Sequence, residues 1–371
     1  MYIDFSDPAD IVDQCKTLNC GREDFLLVCI ARNDEWQLDR ILKLLSDANL
    51  RFFGGVFPAL IEGSTVRENG ALVQVHKLAA EPVVAQIDGN EPEWAAPLPD
   101  ISGLPQKPTC LVLADFSCVA VTSLLEELFN VHGNRVNYFG AGAGNGTRSP
   151  RPILFTNRGR LTGAALVAYV VSNADVHLRH GWSRNSGPVI ATKTDGNVVK
   201  ELNWEPAMSV YRGLVGDQIA NSLGRREDVP EAKRHPFGIA REDLEDVVRD
   251  PMMAINDGEL VVLSGVPENS VMHIMKADND KLVESARELG NVFSQGGENS
   301  HCLLFDCYSR AKLLADAFPN ELKAFVTALQ EKMPGCSVEG ALALGEIASD
   351  GNRLPDFHNK TIAAGLFYGE R

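Results

Sequence analysis

The sequence predicts an α/β protein of repeated β-α-β-β modules, packed sheet against sheet with flanking helices in a two-domain body. Three observations carry that expectation. An apolar strand pattern recurs at three places, an amphipathic helix follows each copy, and a glycine-bearing strand follows each helix. With 371 residues and 44% hydrophobic composition, the chain is long enough to bury more than one core.

The leading strands are FLLVCIA at Phe25 to Ala31, TCLVLADF at Thr109 to Phe116 and HCLLFDC at His301 to Cys307. The helices read NDEWQLDRILKLLSDA from Asn33, VAVTSLLEELFNVHG from Val119 and FPNELKAFVTALQEKM from Phe318. Their apolar residues recur at three- and four-residue spacing, which places one face on a sheet. Asn33 and Asn320 are expected as caps. The second strands are RFFGGVFPALI at Arg51, RVNYFGAGAG at Arg135 and SVEGALALGEIA at Ser337. Strands or hairpins rich in β-branched residues then close each unit: GALVQVHKL, GRLTGAALVAYVV and KTIAAGLFYG. A unit of this kind exposes an apolar sheet face, so the copies must cover one another.

Between the second and third copies lie further strand patterns and two helical ones, PAMSVYRGLVGDQIANSL and NDKLVESARELGNVFSQ. The polar run at 224–236 is the expected linker. It divides an N-terminal region, 1–223, holding the modules from about 25 and 109, from a C-terminal region, 237–371, holding the module from about 301.

A net charge of −15 and the absence of a basic run argue against nucleic acid and anionic membranes as partners. The N-terminus has neither a basic segment nor an apolar one, and no stretch is long enough to span a bilayer, so a cytoplasmic location is expected. The eight cysteines fall in no CxxC spacing and several sit inside apolar runs. Cys29, Cys110 and Cys302 are therefore expected as buried free thiols rather than zinc ligands.

These pieces, in this order, resemble the FIST family of sensory proteins. For its N-terminal region the carriers are YFGAGAGNG, ILFTNRGRLTGAALVAYV, HGW at His180 and IATKTDGNVVKELNWEPAMSVYRGLVGD. For its C-terminal region they are HPFGI at His235, VVRDPMMAINDGELVVLSGVPENSVMHIMKAD, CLLFDCYSRAKLL and ALGEIASDGNRLPDFHNKTIAAGLF. The first module departs from the family's Gly-Cys-Ser/Thr-Gly-Glu type strand end, carrying GGVFPALIEGS instead. The resemblance implies detection of a small ligand, with an amino acid as one candidate. Output would pass to a separate signalling protein such as a histidine kinase or cyclase, and a homo-oligomer is compatible with this. It firmly implies no cofactor, although some family members bind haem and sense nitric oxide, which makes a haem-based sensor the alternative reading.

Candidate ligand contacts follow from position. Arg310 lies beyond a strand's carboxyl end, where α/β proteins hold ligands, and its planar fork suits a carboxylate or phosphate. Glu346, after Gly345 in ALGEIA, is an acid in an apolar strand and needs a partner. Arg310 and Glu346 are expected close together, either as a structural ion pair or as a shared ligand site. His358, in LPDFHNKT, suits a ligand, a loop carbonyl or, on the family alternative, haem iron. Arg249 in VVRD and His235 occur at family-like positions, with boundary-loop packing as their plain role. The run GAGAGNG spells no GxGxxG and enters no helix, so Gly142 is read as close packing or a backbone wall of a pocket. Cys118 and Cys307 each follow an apolar strand, where a nucleophile would be exposed. Neither has a base in its local sequence, and a cysteine-dependent enzyme is the third reading.

Overall fold

Every leading strand has an apolar middle, as a strand covered on both faces needs, with its polar residues Asp24, Thr109, Asp115, His301 and Asp306 at or near the ends. In the computed structural model, which describes residues 1–369 other than 19, 22–23, 105, 148–150, 225–230, 243, 257, 295, 297–299 and 350–352, the three strands are Asp24–Ala31, Thr109–Asp115 and His301–Cys307. Helices Leu38–Asp47, Val121–His132 and Phe318–Lys332 follow them. Each chain then returns as a parallel second strand, Phe52–Phe57, Asn137–Ala143 or Ser337–Ala343. A closing strand, Ala71–Lys77, Ala164–Val170 or Ile362–Tyr368, pairs antiparallel on the other side of the leading strand. The three units share one topology.

One glycine in each second strand permits the close pairing. A Cβ on Gly54, Gly140 or Gly340 would stand 1.8, 1.9 or 1.8 Å from the carbonyl oxygen of Val28, Val112 or Leu304. No side chain fits there.

Each second strand runs into a hairpin that leaves for a neighbouring sheet. Ala59–Glu62 pairs with the third module, placing Leu60 opposite Ala341. Leu154–Thr156 pairs with the first, Phe155 opposite Gly54. Glu346–Ala348 pairs with the second, Ile347 opposite Gly140. The exchange closes a ring in which the inner faces bury a common core, with Phe305 centred 5.9 Å from Phe57 and 5.3 Å from Phe139. The long pattern RFFGGVFPALI accordingly breaks at Pro58, which cannot donate to a ladder.

The layout is two-domain, and a further sheet is built by both halves. Ser183–Asp195 and Val198–Leu202 come from the first half, and Phe237–Ile239, Val247–Arg249, Pro251–Ile255, Glu259–Val262 and Val271–Lys276 from the second. Of the expected linker 224–236, residues 225–230 lie outside the described residues. Among the described residues no helix is long and apolar enough to cross a membrane.

The expected caps differ. Asn33 lies inside a 3₁₀ turn, Arg32–Gln37, and Asn320 inside the helix begun by Phe318, with Pro319 in its first turn. A side-chain cap is made instead by Asp278, whose carboxylate accepts from the backbone N–H of Asp280 and Lys281 at the start of helix Asn279–Val292. Cys29, Cys110 and Cys302 are free and buried.

Candidate functional site

The third module's leading strand ends in Phe305-Asp306-Cys307, and its chain turns at once into a short helix, Tyr308–Leu314. Arg310 is carried inward there and is fully buried. It donates from Nε to Glu321 Oε1 at 2.6 Å, and from Nη1 to the carbonyls of His180 and, at 3.2 Å, Lys360. Nη2 donates to Leu282 O at 2.9 Å and Ser285 Oγ at 3.1 Å. Five N–H groups meet five acceptors, which leaves the fork no donor for a ligand. Its ion-pair partner is Glu321, on the buried face of the following helix, and not Glu346.

Glu346 is also fully buried. Oε2 accepts from the backbone N–H of Thr361 at 3.3 Å. Among the described residues, Oε1 of Glu346 and both carboxyl oxygens of Asp306 lack a hydrogen bond of normal geometry. Burial first, and then the neighbouring Asp306, hold the Glu346 carboxyl well above the usual range. Burial and then Glu321 do the same to Asp306, with Arg310 opposing. Lys360 completes the cluster, held at φ 58° on the turn before the closing strand. Its Nζ donates to Ser309 Oγ at 2.8 Å and lies 3.3 Å from Asp250 Oδ2, while burial lowers its pKa and Asp250 opposes.

The hairpin holding Glu346 fixes the other expected residues. Glu346 faces His358 in register, and His358 Nε2 lies 3.3 Å from the carbonyl of Ala348. Burial depresses the His358 pKa to about 4, so the ring is neutral at pH 7. Only 5% exposed and bonded in this way, His358 offers haem iron no open face. Among the described residues no cluster of three or more His, Cys, Asp or Glu side chains suits a metal ion.

Arg249 donates from Nη2 to Asp356 Oδ1 at 2.9 Å and from Nε to Gly265 O at 2.8 Å. Burial works to raise the Asp356 pKa, but Arg249, His358 and Arg241 outweigh it and hold the carboxyl at about 2. Gly142 and Gly345 are joined backbone to backbone at 2.8 Å, and a Cβ on Gly345 would stand 2.2 Å from Phe357. His235 belongs elsewhere, spending Nδ1 on Glu231 O and its carbonyl on Tyr211. Burial pushes the thiols of Cys118 and Cys307 up to about 12, far from the thiolate a nucleophile requires.

Arg310, Glu346, His358 and Arg249 thus gather around residues 356–361, each with its own partners, and Gly142 and Gly345 meet backbone to backbone beside Phe357. Sequence reasoning missed Asp306, Lys360, Asp250 and Glu321. Asp306 carried the same signal as Glu346, an acid inside an apolar strand. Glu321 lies within the apolar face formed by Phe318, Leu322 and Phe325. An open groove of about 390 Å³ lies apart from this cluster, between two outer helices, lined by Arg287, Asn291, Lys323 and Glu331 among others.

Compared with known families, residues 24–205 match the FIST N domain and residues 207–349 the FIST C domain. No curated protein matches the chain.

Proposed function

Because the chain belongs to the FIST family, whose domains are sensory domains of signal transduction, we propose that it detects a small amine-bearing ligand, an amino acid being the simplest, at the carboxyl pair Asp306 and Glu346. The observation that carries this reading is a pair of fully buried carboxyls, three of whose four oxygens lack a hydrogen bond of normal geometry among the described residues. Such groups are costly to bury alone and are relieved by an ammonium that donates to them. Output is assigned to a separate signalling protein, in keeping with the sensory role of the family.

The cluster is closed to solvent, so a guest enters only when the surrounding segments part. That suits a sensor. A ligand shifts an equilibrium by its differential affinity for two arrangements, and a site that must open to bind couples occupancy to shape.

The test is a thermal-shift screen of amino acids and simple amines against the protein and Glu346→Leu. A true ligand at a hundred times its dissociation constant adds about 2.7 kcal/mol to the unaltered protein and little to the variant. Its affinity rises with pH as the two carboxyls lose their protons. Equal stabilisation of both proteins, no response to any amine, or a haem absorption band in the purified protein overturns the reading.

A further inference from the structure

Outside the buried cluster, the same strand end carries a feature that the amine reading leaves unused. Tyr308 directly follows Cys307 and is half-buried. Arg32, the first residue past the first module's leading strand, donates from Nη1 to the Tyr308 hydroxyl at 2.9 Å, with its guanidinium carbon 5.7 Å from the ring centroid. Lys312, one turn further along the same short helix, brings Nζ to 5.0 Å from that centroid. Two cations from different modules therefore meet on one neutral phenol.

The acids beside Arg32 are committed elsewhere. Asp34 accepts from the Gly70 backbone N–H at 2.7 Å and from Gln37 at 3.3 Å. Glu35 accepts from Asn145 at 2.8 Å and faces Arg151 at 3.6 Å and Arg160 at 4.0 Å. Among the described residues, no carboxylate comes within 4.0 Å of the charged nitrogens of Arg32 or Lys312. In a chain of net charge −15, acids to neutralise them are not scarce, so two cations gathered without one is a specific arrangement.

We propose that Arg32, Lys312 and the Tyr308 hydroxyl bind the oxyanionic group, carboxylate or phosphate, of a small molecule at the rim of the third module. The guanidinium supplies planar donors, the ammonium a point charge, and the phenol, already accepting from Arg32, keeps its own proton to donate. This inference deepens the sensory reading and rests on it for the guest's other end: an ammonium at Asp306 and Glu346 with an oxyanion at the rim describes a zwitterion.

The experiment titrates inorganic phosphate and, separately, acetate into the intact protein and into Arg32→Gln, Lys312→Gln and, as a distant charge control on the outer groove, Lys323→Gln, read by calorimetry at two salt concentrations. The expected result is saturable, salt-sensitive binding, weakened about tenfold by Arg32→Gln or Lys312→Gln and unchanged by Lys323→Gln. Preference for phosphate identifies a phosphorylated guest, and parity with acetate a carboxylate. Absence of saturable binding, or binding by Arg32→Gln and Lys312→Gln undiminished from that of the intact protein, overturns the site. If Arg32→Gln also lowers the melting temperature, exposed Lys312 decides the matter. Loss of the oxyanion response with amine binding retained removes this inference and leaves the sensory reading standing.

Discussion

The end of the third module differs from the same place in the first two, although the three share one scaffold. Aligned on the glycines Gly54, Gly140 and Gly340, Asp306 stands where the other leading strands place Ile30 and Ala114. Glu346 stands where the other hairpins place Leu60 and Leu154. Lys360 takes the place of Asn69 and Gly163. The first two modules also bury acids near their strand ends, but these are satisfied: Asp34 accepts from Gly70 and Gln37, and Asp115 from Ser117 and Gly163. The scaffold therefore forms with uncharged residues at these three positions, apolar ones where the third module has Asp306 and Glu346. Folding alone does not require Asp306 and Glu346.

The comparison is broken most severely at Arg310. Replacing it with Met leaves Glu321 buried and alone, and should lower unfolding free energy by about 3–5 kcal/mol in urea titrations. Adding Glu321→Leu should restore most of that loss, because a hydrophobic pair of similar volume removes both buried charges. A double variant no better than Arg310→Met would show that the four remaining Arg310 contacts, not the ion pair, hold the helices together.

Acid sharpens the contrast through His358. Its folded pKa of about 4 lies below the usual histidine value, so its contribution is present above about pH 6.5 and is lost as pH falls toward 4. That amounts to about 3 kcal/mol at most. The raised carboxyls of Asp306 and Glu346 act with the opposite sign: their contribution is full below the ordinary carboxylate range and is lost as pH rises through their folded values. Denaturant titrations between pH 4 and 7 should find that His358→Gln flattens the acid-side decline. An unchanged slope would assign the decline to other groups.

What the modules share is tested at their glycines. Gly54→Ala, Gly140→Ala and Gly340→Ala each drive a methyl group into a carbonyl oxygen of the paired strand, and should cost about 1–3 kcal/mol or more each. Similar losses in melting temperature across the series support equivalence, and one tolerant position would show that its module is built differently.

The shared parts were legible because they are local. Apolar runs, three- and four-residue spacing and the glycine strands are written within each module, and the structure returns them as strand, helix, strand, strand. The hairpin exchange was not legible, because it is decided by which sheet edge lies nearest after the modules assemble. For the same reason Arg310 was matched with Glu346 by strand position, when a facing helix delivers Glu321 to it. Glu346 itself was legible as an acid in an apolar strand. Asp306 carried the same mark and was passed over, and Lys360 gave no local sign, since its burial depends on Asp250 from the sheet built by both halves. The caps failed where short 3₁₀ turns precede the helices and shift their first residues.

The finest test of the contrast is to rewrite one charge as the other modules write it. Glu346→Leu installs the residue found at positions 60 and 154, with no cavity to fill and the same strand pairing to make. It forgoes the bond from Thr361 N–H, but it removes a buried carboxyl with one oxygen lacking a hydrogen bond of normal geometry and the repulsion between that group and Asp306. Net stability should therefore rise, by about 1 kcal/mol, at the low end for removing buried charge from an apolar setting. The gain should be largest near pH 7 and shrink as the solution is acidified, since protonation relieves the native carboxyl in the same way. A gain in melting temperature coupled to loss of the amine response is the signature of a residue kept for binding at the expense of stability. A variant that is less stable than the native protein at every pH would mean that Glu346 holds the Thr361 turn in place, and that the third module's charges belong to its architecture after all.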